Sequence, residues 1–523
     1  MSATERSAGL PSRGQDIRRQ GSHSPDAFAA AGVACVLCAA LLLTILLATG
    51  PVGSDDVAYF RGATELLHNG RMPEVDTLIG RKLFILLSGL PAAFAGQIMY
   101  GVIANILYAT LLNVVLAVFV FKQFGAVPAL VAAAITSLNG VQLLWSGTML
   151  PDTTLAVPMF LSVMSLYYAL LASSKNPFPL MALSGALAGV SYAVKEPGIL
   201  LLPPAIVSIL LCREYAPFGR KVVSVAIYLA AFACLFAAEG LLQLSLSGDF
   251  FRRYHGLQAM QPNGAVPLLE FLHRAYWSLA SIWTSDRDTL LFPMLIGTAA
   301  WLAILPKRSA VSVFGVAGLF IAGYLIFGST SFSELHPMPF QPRYTAPLFP
   351  LIAVSLAALV PKNSHMSRWT MGGWLLFASL FAVLSISSTV ADAGNLVRAR
   401  YFKNVAMALT SELARNAGMP ILVDPSTLEV LVHFMPRADY VRLEPIPSDR
   451  GLQTGFYLVD PYQDSIIRLQ RAPHFEEIMR LPIAMAVNLN PFVMSRYFPD
   501  FRSHDFPPDP LFTAVIREKR PGP

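Results

Sequence analysis

The chain has 523 residues, of which 54% are hydrophobic and 13% charged, against about 25% charged in an ordinary soluble protein. That composition excludes a purely soluble enzyme. The formal charge of +6 does not point to nucleic acid, because the excess lies in short connectors and the N-terminal tail rather than on one basic face.

Residues 1–26 are polar, rich in Ser, Gly and Arg, and predict a disordered tail. Arg18-Arg19 precede an apolar stretch, Ala27 to Thr49, that is too long for a signal-peptide core and suits a permanent membrane anchor. Runs without any Asp, Glu, Lys or Arg then recur at 83–121, 123–151, 153–174, 309–333 and 369–391, each long enough to cross a bilayer, which takes roughly 20 apolar residues. Further spans are predicted at 98–121, 127–144, 153–173, 178–194, 197–211, 222–246, 289–305, 309–328, 345–361 and 370–390, eleven with the first.

The run 83–121 could hold two spans, or one span preceded by a short interfacial helix. Charge arbitrates. With one span there, the connectors at 122, 175, 212–221, 306–308 and 362–368 share a side with the N-terminus and hold nine basic residues to one acid. The opposite connectors from Trp145 onward hold six basic to seven acidic. Positive charge marks the cytoplasmic side, so the reading is one span there, eleven crossings, a cytoplasmic N-terminus and an external C-terminal segment.

Domain limits follow: a tail over 1–26, a transmembrane domain over 27–391 and a soluble extracytoplasmic domain over 392–523. From Asp392 the chain carries fifteen basic and fifteen acidic residues. Ile421-Leu422-Val423-Asp424 and Phe456-Tyr457-Leu458-Val459-Asp460 read as short buried strands beside helical stretches. The expected fold class is an all-α polytopic membrane protein with a small C-terminal α/β domain. Cys35, Cys38, Cys212 and Cys234 lie in or beside apolar segments and imply no disulfide framework. No Gly-rich phosphate loop, zinc spacing or GxSxG elbow is present.

Charge beside a span is costly, so charged residues there are candidate site residues. Asp55 and Asp56 follow the first span, and Asp152 heads the fourth, which brings three carboxylates to one interface. Facing them are Arg81 and Lys82 before the interfacial run, Lys195-Glu196 between spans five and six, Arg252, Arg253 and His255 in the long outer loop, and Arg343-Tyr344 before span ten. Carboxylates beside cations at a bilayer surface suit a reaction on a phosphate whose tail stays in lipid. The same residues also have structural readings: the acids as helix caps, Arg81 and Lys82 as snorkelling flanks, Lys195-Glu196 as an ion-paired turn, His255 as a solvated loop residue. Glu239, inside span seven, has no evident partner.

The ordered series Asp-Asp-x-x-Tyr, a basic pair before an apolar run, Pro-Asp, Lys-Glu-Pro-Gly, Asp-Phe-Phe-Arg-Arg-Tyr-His and Pro-Arg-Tyr-x-x-Pro resembles the C-type membrane glycosyltransferases. The likeness spans roughly residues 27–390 and is greatest to the protein O-mannosyltransferases, the aminoarabinose transferases of lipid A and related bacterial sugar transferases. It implies transfer of a sugar from a polyprenyl-phosphate donor to an extracytoplasmic glycan, lipid or protein acceptor, at a bacterial inner membrane. It assigns the catalytic base to Asp55 with Asp56 beside it, an assisting acid to Asp152, and donor-phosphate binding to Lys82 or Arg81. Relatives usually have Pro-Pro just after that basic pair, where this chain has Leu83-Phe84, and often Asp-Glu in place of Asp55-Asp56. Donor, acceptor and membrane lipids are the partners implied, with no nucleic acid. No cofactor is demanded, although the carboxylates leave room for a divalent cation.

A secondary transporter or flippase of a lipid-linked or anionic substrate also has many spans and buried charges. Transporters, however, show paired repeats and helices broken at the membrane midplane, whereas here the charges gather at one interface and no repeat is visible.

Overall fold

The computed structural model describes residues 25–48, 50, 55–70, 81–171, 176–212, 215–259, 266–284, 310–329, 335–336, 342–360 and 368–395, and beyond them Leu428, Leu431 and the strand segments 421–423, 443–445, 456–459, 475–482 and 513–519. The helices are α1 (Pro25–Leu47), α2 (Asp55–Asn69), α3 (Lys82–Ala95), α4 (Met99–Phe124), α5 (Ala126–Ser137), α6 (Gly140–Trp145), α7 (Pro151–Leu171), α8 (Phe178–Val194), α9 (Glu196–Leu211), α10 (Phe218–Ser247), α11 (Arg252–Ala259), α12 (Leu268–Thr284), α13 (Ser312–Phe327), α14 (Leu348–Ala357) and α15 (Arg368–Asn395). Helices occupy the positions of ten of the eleven predicted spans; the expected span 289–305 lies outside the described residues.

Among the described residues five helices are long and apolar enough to cross a membrane: α1, α4, α7, α10 and α15. The chain is therefore a multi-pass membrane protein. α1, α10 and α15 leave most of their apolar surface uncovered by protein, as lipid-facing helices do, whereas α5 is buried along almost its whole length. Its Ala-rich sequence allows that, since small side chains let neighbouring helices approach closely where no hydrophobic force drives them together. Gly185 and Gly189, four residues apart on α8, do the same against α10: a Cβ on either would run into Tyr228 backbone or the Leu235 side chain.

The uncharged run 83–121 is broken by Gly96, which adopts φ 65°, a conformation glycine takes without steric cost. Before the break, α3 is a short apolar helix containing a π-helical turn, Ile85–Gly89. After it comes the single long helix α4. α3 packs on α2, with Gly89 so close to Ala63 that a Cβ there would stand 2.8 Å from the Ala63 methyl.

Asn105 of α4 ties this region to the start of α7. Its Nδ2 donates to the Thr148 and Leu150 carbonyls at 2.6 and 2.7 Å, and its Oδ1 accepts from Ser88 at 3.0 Å and Thr154 at 2.9 Å. All four amide bonding sites are thus used in a buried position, which rigidifies a polar network. Asp152 emerges from that pinned segment.

Beyond α15, five strands form one mixed sheet in the order β2-β1-β3-β5-β4: β1 (Ile421–Val423), β2 (Leu443–Pro445), β3 (Phe456–Val459), β4 (Phe475–Pro482) and β5 (Thr513–Lys519). β1 runs parallel to β2 and β3, and β5 antiparallel to β3 and β4. The predicted runs 421–424 and 456–460 are strands over Ile421–Val423 and Phe456–Val459, their last residues lying outside the described ones. The helical stretches expected among them lie outside the described residues.

Candidate active site

Two helix starts supply the three carboxylates of the site. Asp55 and Asp56 both lie in the first turn of α2, and Asp152 lies in the first turn of α7 just after Pro151. The partial positive charge of a helix N-terminus favours carboxylates there. Asp56 and Asp152 are buried, whereas the Asp55 side chain keeps 23% of its surface exposed.

Arg343, on the short 3₁₀ turn Pro342–Thr345, joins two of these acids. Its Nη2 lies 3.2 Å from Asp55 Oδ2 and its Nε 3.7 Å from Asp152 Oδ2. Its guanidinium also lies over the rings of Trp145 and Tyr344, at 5.9 and 5.5 Å from their centroids. The other oxygen of Asp152 accepts from the Lys195 ammonium, which itself sits 4.2 Å from the centre of the Tyr344 ring. Burial lowers the Lys195 pKa to about 8, against the opposing pull of Asp152 and with the help of Arg81 and Arg343.

A second network lies alongside. Arg81 donates from Nε to both Glu196 oxygens at 3.2 Å, its Nη2 is 3.2 Å from Oε2, and its Nη1 donates to the Tyr59 hydroxyl. Glu196 also faces Arg253 Nε at 3.6 Å. Burial alone would raise the Glu196 carboxyl, but Arg81 and Arg253 hold it down at about 2. Arg253, on α11, reaches Glu239 of α10 at 3.8 Å and donates to the carbonyls of Tyr192 and Ala193, the latter at 2.8 Å. It thereby satisfies the last carbonyls of α8, a role cations suit.

Lys82 differs from these cations. It is only 2% exposed, and its Nζ has no hydrogen-bond partner among the described residues. Burial lowers its pKa to about 8; Glu239 opposes that shift while Arg252 and Arg253 add to it. The pair left open by the sequence is therefore distinguished by geometry: Arg81 is engaged by Glu196 and Tyr59, and Lys82 presents an unpaired ammonium.

Of the sequence candidates, Asp55, Asp152, Lys195, Arg343 and Tyr344 form one cluster, and Arg81, Lys82 and Arg253 join the second. Arg252 lies close enough to Lys82 to act on its charge. His255 belongs to neither: its side chain is 57% exposed and its Nδ1 lies 2.8 Å from Asp249 Oδ2. Three contributors escaped the sequence reading. Glu239 does have a partner, Arg253, and also accepts from Gln243 at 2.5 Å. Glu196 pairs not with Lys195 but with two arginines. Trp145, not among the sequence candidates, backs Arg343. An acid in an otherwise uncharged span, near its outer end and followed by Arg252-Arg253, was the available signal for Glu239.

Among the described residues no group of three or more His, Cys, Asp or Glu could hold a metal ion. Asp55 and Asp152 already face Arg343 and Lys195, whose charges would repel a cation. The residues present do not fit a divalent ion, and no chemistry is assigned to one.

A structure of this shape has known counterparts. The fold is similar to that of ArnT from Cupriavidus metallidurans, both bound to undecaprenyl phosphate (TM-score 0.51, 16% identity, 86% of this chain and 96% of that one) and in the apo state (0.53, 14%, 87% and 97%). At these identities the likeness is one of fold, a mostly helical, polytopic architecture such as the sequence predicted.

Residues 86–241, from α3 into α10, match the family described as dolichyl-phosphate-mannose-protein mannosyltransferase. The matched family and ArnT are both membrane glycosyltransferases. No curated protein matches the chain in sequence.

Proposed function

We propose that the chain is a glycosyltransferase that moves one sugar from a polyprenyl-phosphate donor to an acceptor hydroxyl outside the cytoplasm. The observation that carries the reading is the convergence of Asp55 and Asp152 on Arg343, beside a buried Lys82 ammonium that no group among the described residues hydrogen-bonds. An uncompensated buried charge is costly, and a phosphate would supply the missing partner. The undecaprenyl phosphate bound by ArnT supports a lipid-borne phosphate as that partner.

Asp55 is the base. It is the more exposed of the two acids, with 23% of its side-chain surface open, so an acceptor can reach it, whereas Asp152 is enclosed between Lys195 and Arg343. As the acceptor oxygen bonds to the anomeric carbon, its proton passes to the Asp55 carboxylate. The bond from the anomeric carbon to the phosphate oxygen breaks on the opposite face, its electron pair leaving with the lipid phosphate, and the configuration inverts. A positioned carboxylate contributes about 10² to 10⁴ in rate to such a proton transfer. Charge grows on the leaving phosphate, and the Lys82 ammonium meets it.

Asp152 orients Arg343, and Lys195 neutralises Asp152. Tyr344 gives both cations an aromatic face, a favourable contact for desolvated cations. Asp56 is buried beside the base and shapes its turn; Arg252 adds positive potential around Lys82. The orientation adopted is a cytoplasmic N-terminus, eleven spans, and the sheet-bearing segment 392–523 outside the cytoplasm, from the basic excess of the cytoplasmic connectors. Acceptor classes are a cell-envelope glycan, lipid or protein.

Washed membranes given a labelled polyprenyl-phosphate sugar test the reading. A transferase consumes the donor with no ion gradient present; consumption that collapses with the gradient would instead favour a transporter.

A further inference from the structure

We propose that Glu196 is a positioning residue for the donor phosphate: by holding Arg81, it fixes the neighbouring Lys82 ammonium where the phosphate arrives. The inference rests on the reading of Lys82 as the phosphate's partner, and it concerns what keeps that ammonium in place.

A lysine this deep has an escape, since its long stem lets an unsatisfied ammonium snorkel toward water. Lys82 does not take it, although its Nζ has no hydrogen-bond partner and burial disfavours its charge. Something must hold the backbone it springs from. Lys82 is the first residue of α3, and Arg81 is its cap, at φ −84° and ψ 58°, with its carbonyl accepting from the Ile85 amide at 3.1 Å. Arg81 offers no side-chain cap bond to its own helix. Its guanidinium is fastened elsewhere, by the two-pronged pair with Glu196 and by the Tyr59 hydroxyl. A guanidinium held by three of its donors leaves little freedom in the residue that bears it.

Glu196 can act as that fastening because it is itself immobile. Lys195 before it is extended, at φ −155° and ψ 146°, and Pro197 after it fixes the next φ. Gly198 then packs so tightly on α8 that a Cβ would collide with the Tyr192 amide and the Ser191 carbonyl. Arg253, anchored on the final carbonyls of α8, holds the carboxylate from its other side. The tie therefore runs from the α8–α9 turn, across 115 residues of sequence, to the cap of α3. Glu196 spends its oxygens on Arg81 and Arg253, so its effect on the phosphate passes through Lys82.

The test is titration of purified full-length protein with undecaprenyl phosphate in detergent. Glu196→Gln should weaken binding about tenfold, a loss of about 1.4 kcal/mol, because its effect reaches the phosphate only through Lys82. Glu196→Asp, which keeps the charge, should bind more tightly than Glu196→Gln. In a Lys82→Ala background, Glu196→Gln should bring little further loss, because two residues acting through one contact are not additive. A purely structural role would add its full loss there. If Glu196→Gln does not accumulate, Arg81→Lys loosens the same tie, since an ammonium cannot form the two-pronged pair, and should give the same loss with the same dependence on Lys82. Wild-type affinity in the accumulating variant, or full additivity with Lys82→Ala, overturns the inference. Failure of the wild type to bind undecaprenyl phosphate, or binding unchanged by Lys82→Ala, would overturn the functional reading itself.

Discussion

Lys195 and Glu196 are consecutive, yet their side chains close two different buried networks: the ammonium bonds Asp152, while the carboxylate takes Arg81 and faces Arg253. The extended Lys195 backbone makes this possible, because successive side chains of an extended segment point to opposite sides. One peptide bond thus couples the carboxylates that would handle the acceptor to the cations that would handle the donor.

Asp55→Asn should lower turnover by about 10² or more while donor binding is largely kept, the pattern of a group that acts mainly in the transition state. Asparagine keeps the size of the side chain, so the protein should accumulate. Steady-state rates with a labelled lipid-linked sugar check this, and a wild-type rate would transfer the assignment to Asp56.

Arg343→Ala removes the cation shared by Asp55 and Asp152 and leaves two neighbouring acids less compensated. The expected result is a loss in turnover at least as large as that of Asp152→Asn, together with a lower unfolding temperature, since breaking a buried pair costs about 3 to 5 kcal/mol. Unchanged turnover in the purified variant would remove Arg343 from the site.

Donor binding should weaken as pH rises through about 8, where Lys82 loses its proton. The sign follows from the charge: below that value the ammonium is positive and attracts phosphate, and above it the amine is neutral. Lys195 also titrates near 8, so the control is Lys82→Arg, which stays charged and should flatten the profile. A Lys82→Arg profile identical to wild type would assign the effect to Lys195.

Reporter fusions near Asn176 and near Gly418 should fall on opposite sides of the membrane if eleven spans place residues 392–523 outside. Both on one side would contradict the span count.

A water-soluble nucleotide sugar should be inert with the purified protein, because the candidate phosphate partner is buried at the head of an apolar helix. Turnover with a nucleotide sugar, and none with a polyprenyl-phosphate sugar, would reverse the choice of donor.

Much of this organisation was legible as hydropathy and charge. Long uncharged runs predicted the helices, the choice of one long helix within 83–121 agrees with the break at Gly96, and acids at helix starts marked Asp55 and Asp152. Pairing was not legible. Arg81 and Glu196 lie 115 residues apart, and Arg343 and Asp55 288 apart, so which acid meets which cation depends on helix rotation that periodicity does not fix. Asn105 was passed over because one Asn in an apolar run reads as a tolerated polar residue, and only the carbonyls opposite it reveal its role.

The 288 residues between Asp55 and Arg343 also impose an order of assembly. At a synthesis rate of about 5 to 20 residues per second, Arg343 leaves the ribosome roughly 15 to 60 s after Asp55. Lys195 follows Asp152 by only 43 positions, so that pair can form early. Asp55 must wait in a nascent chain without its arginine, and a chain that stalls before α14 would present an incomplete, acid-rich cleft to the quality-control proteases of the membrane.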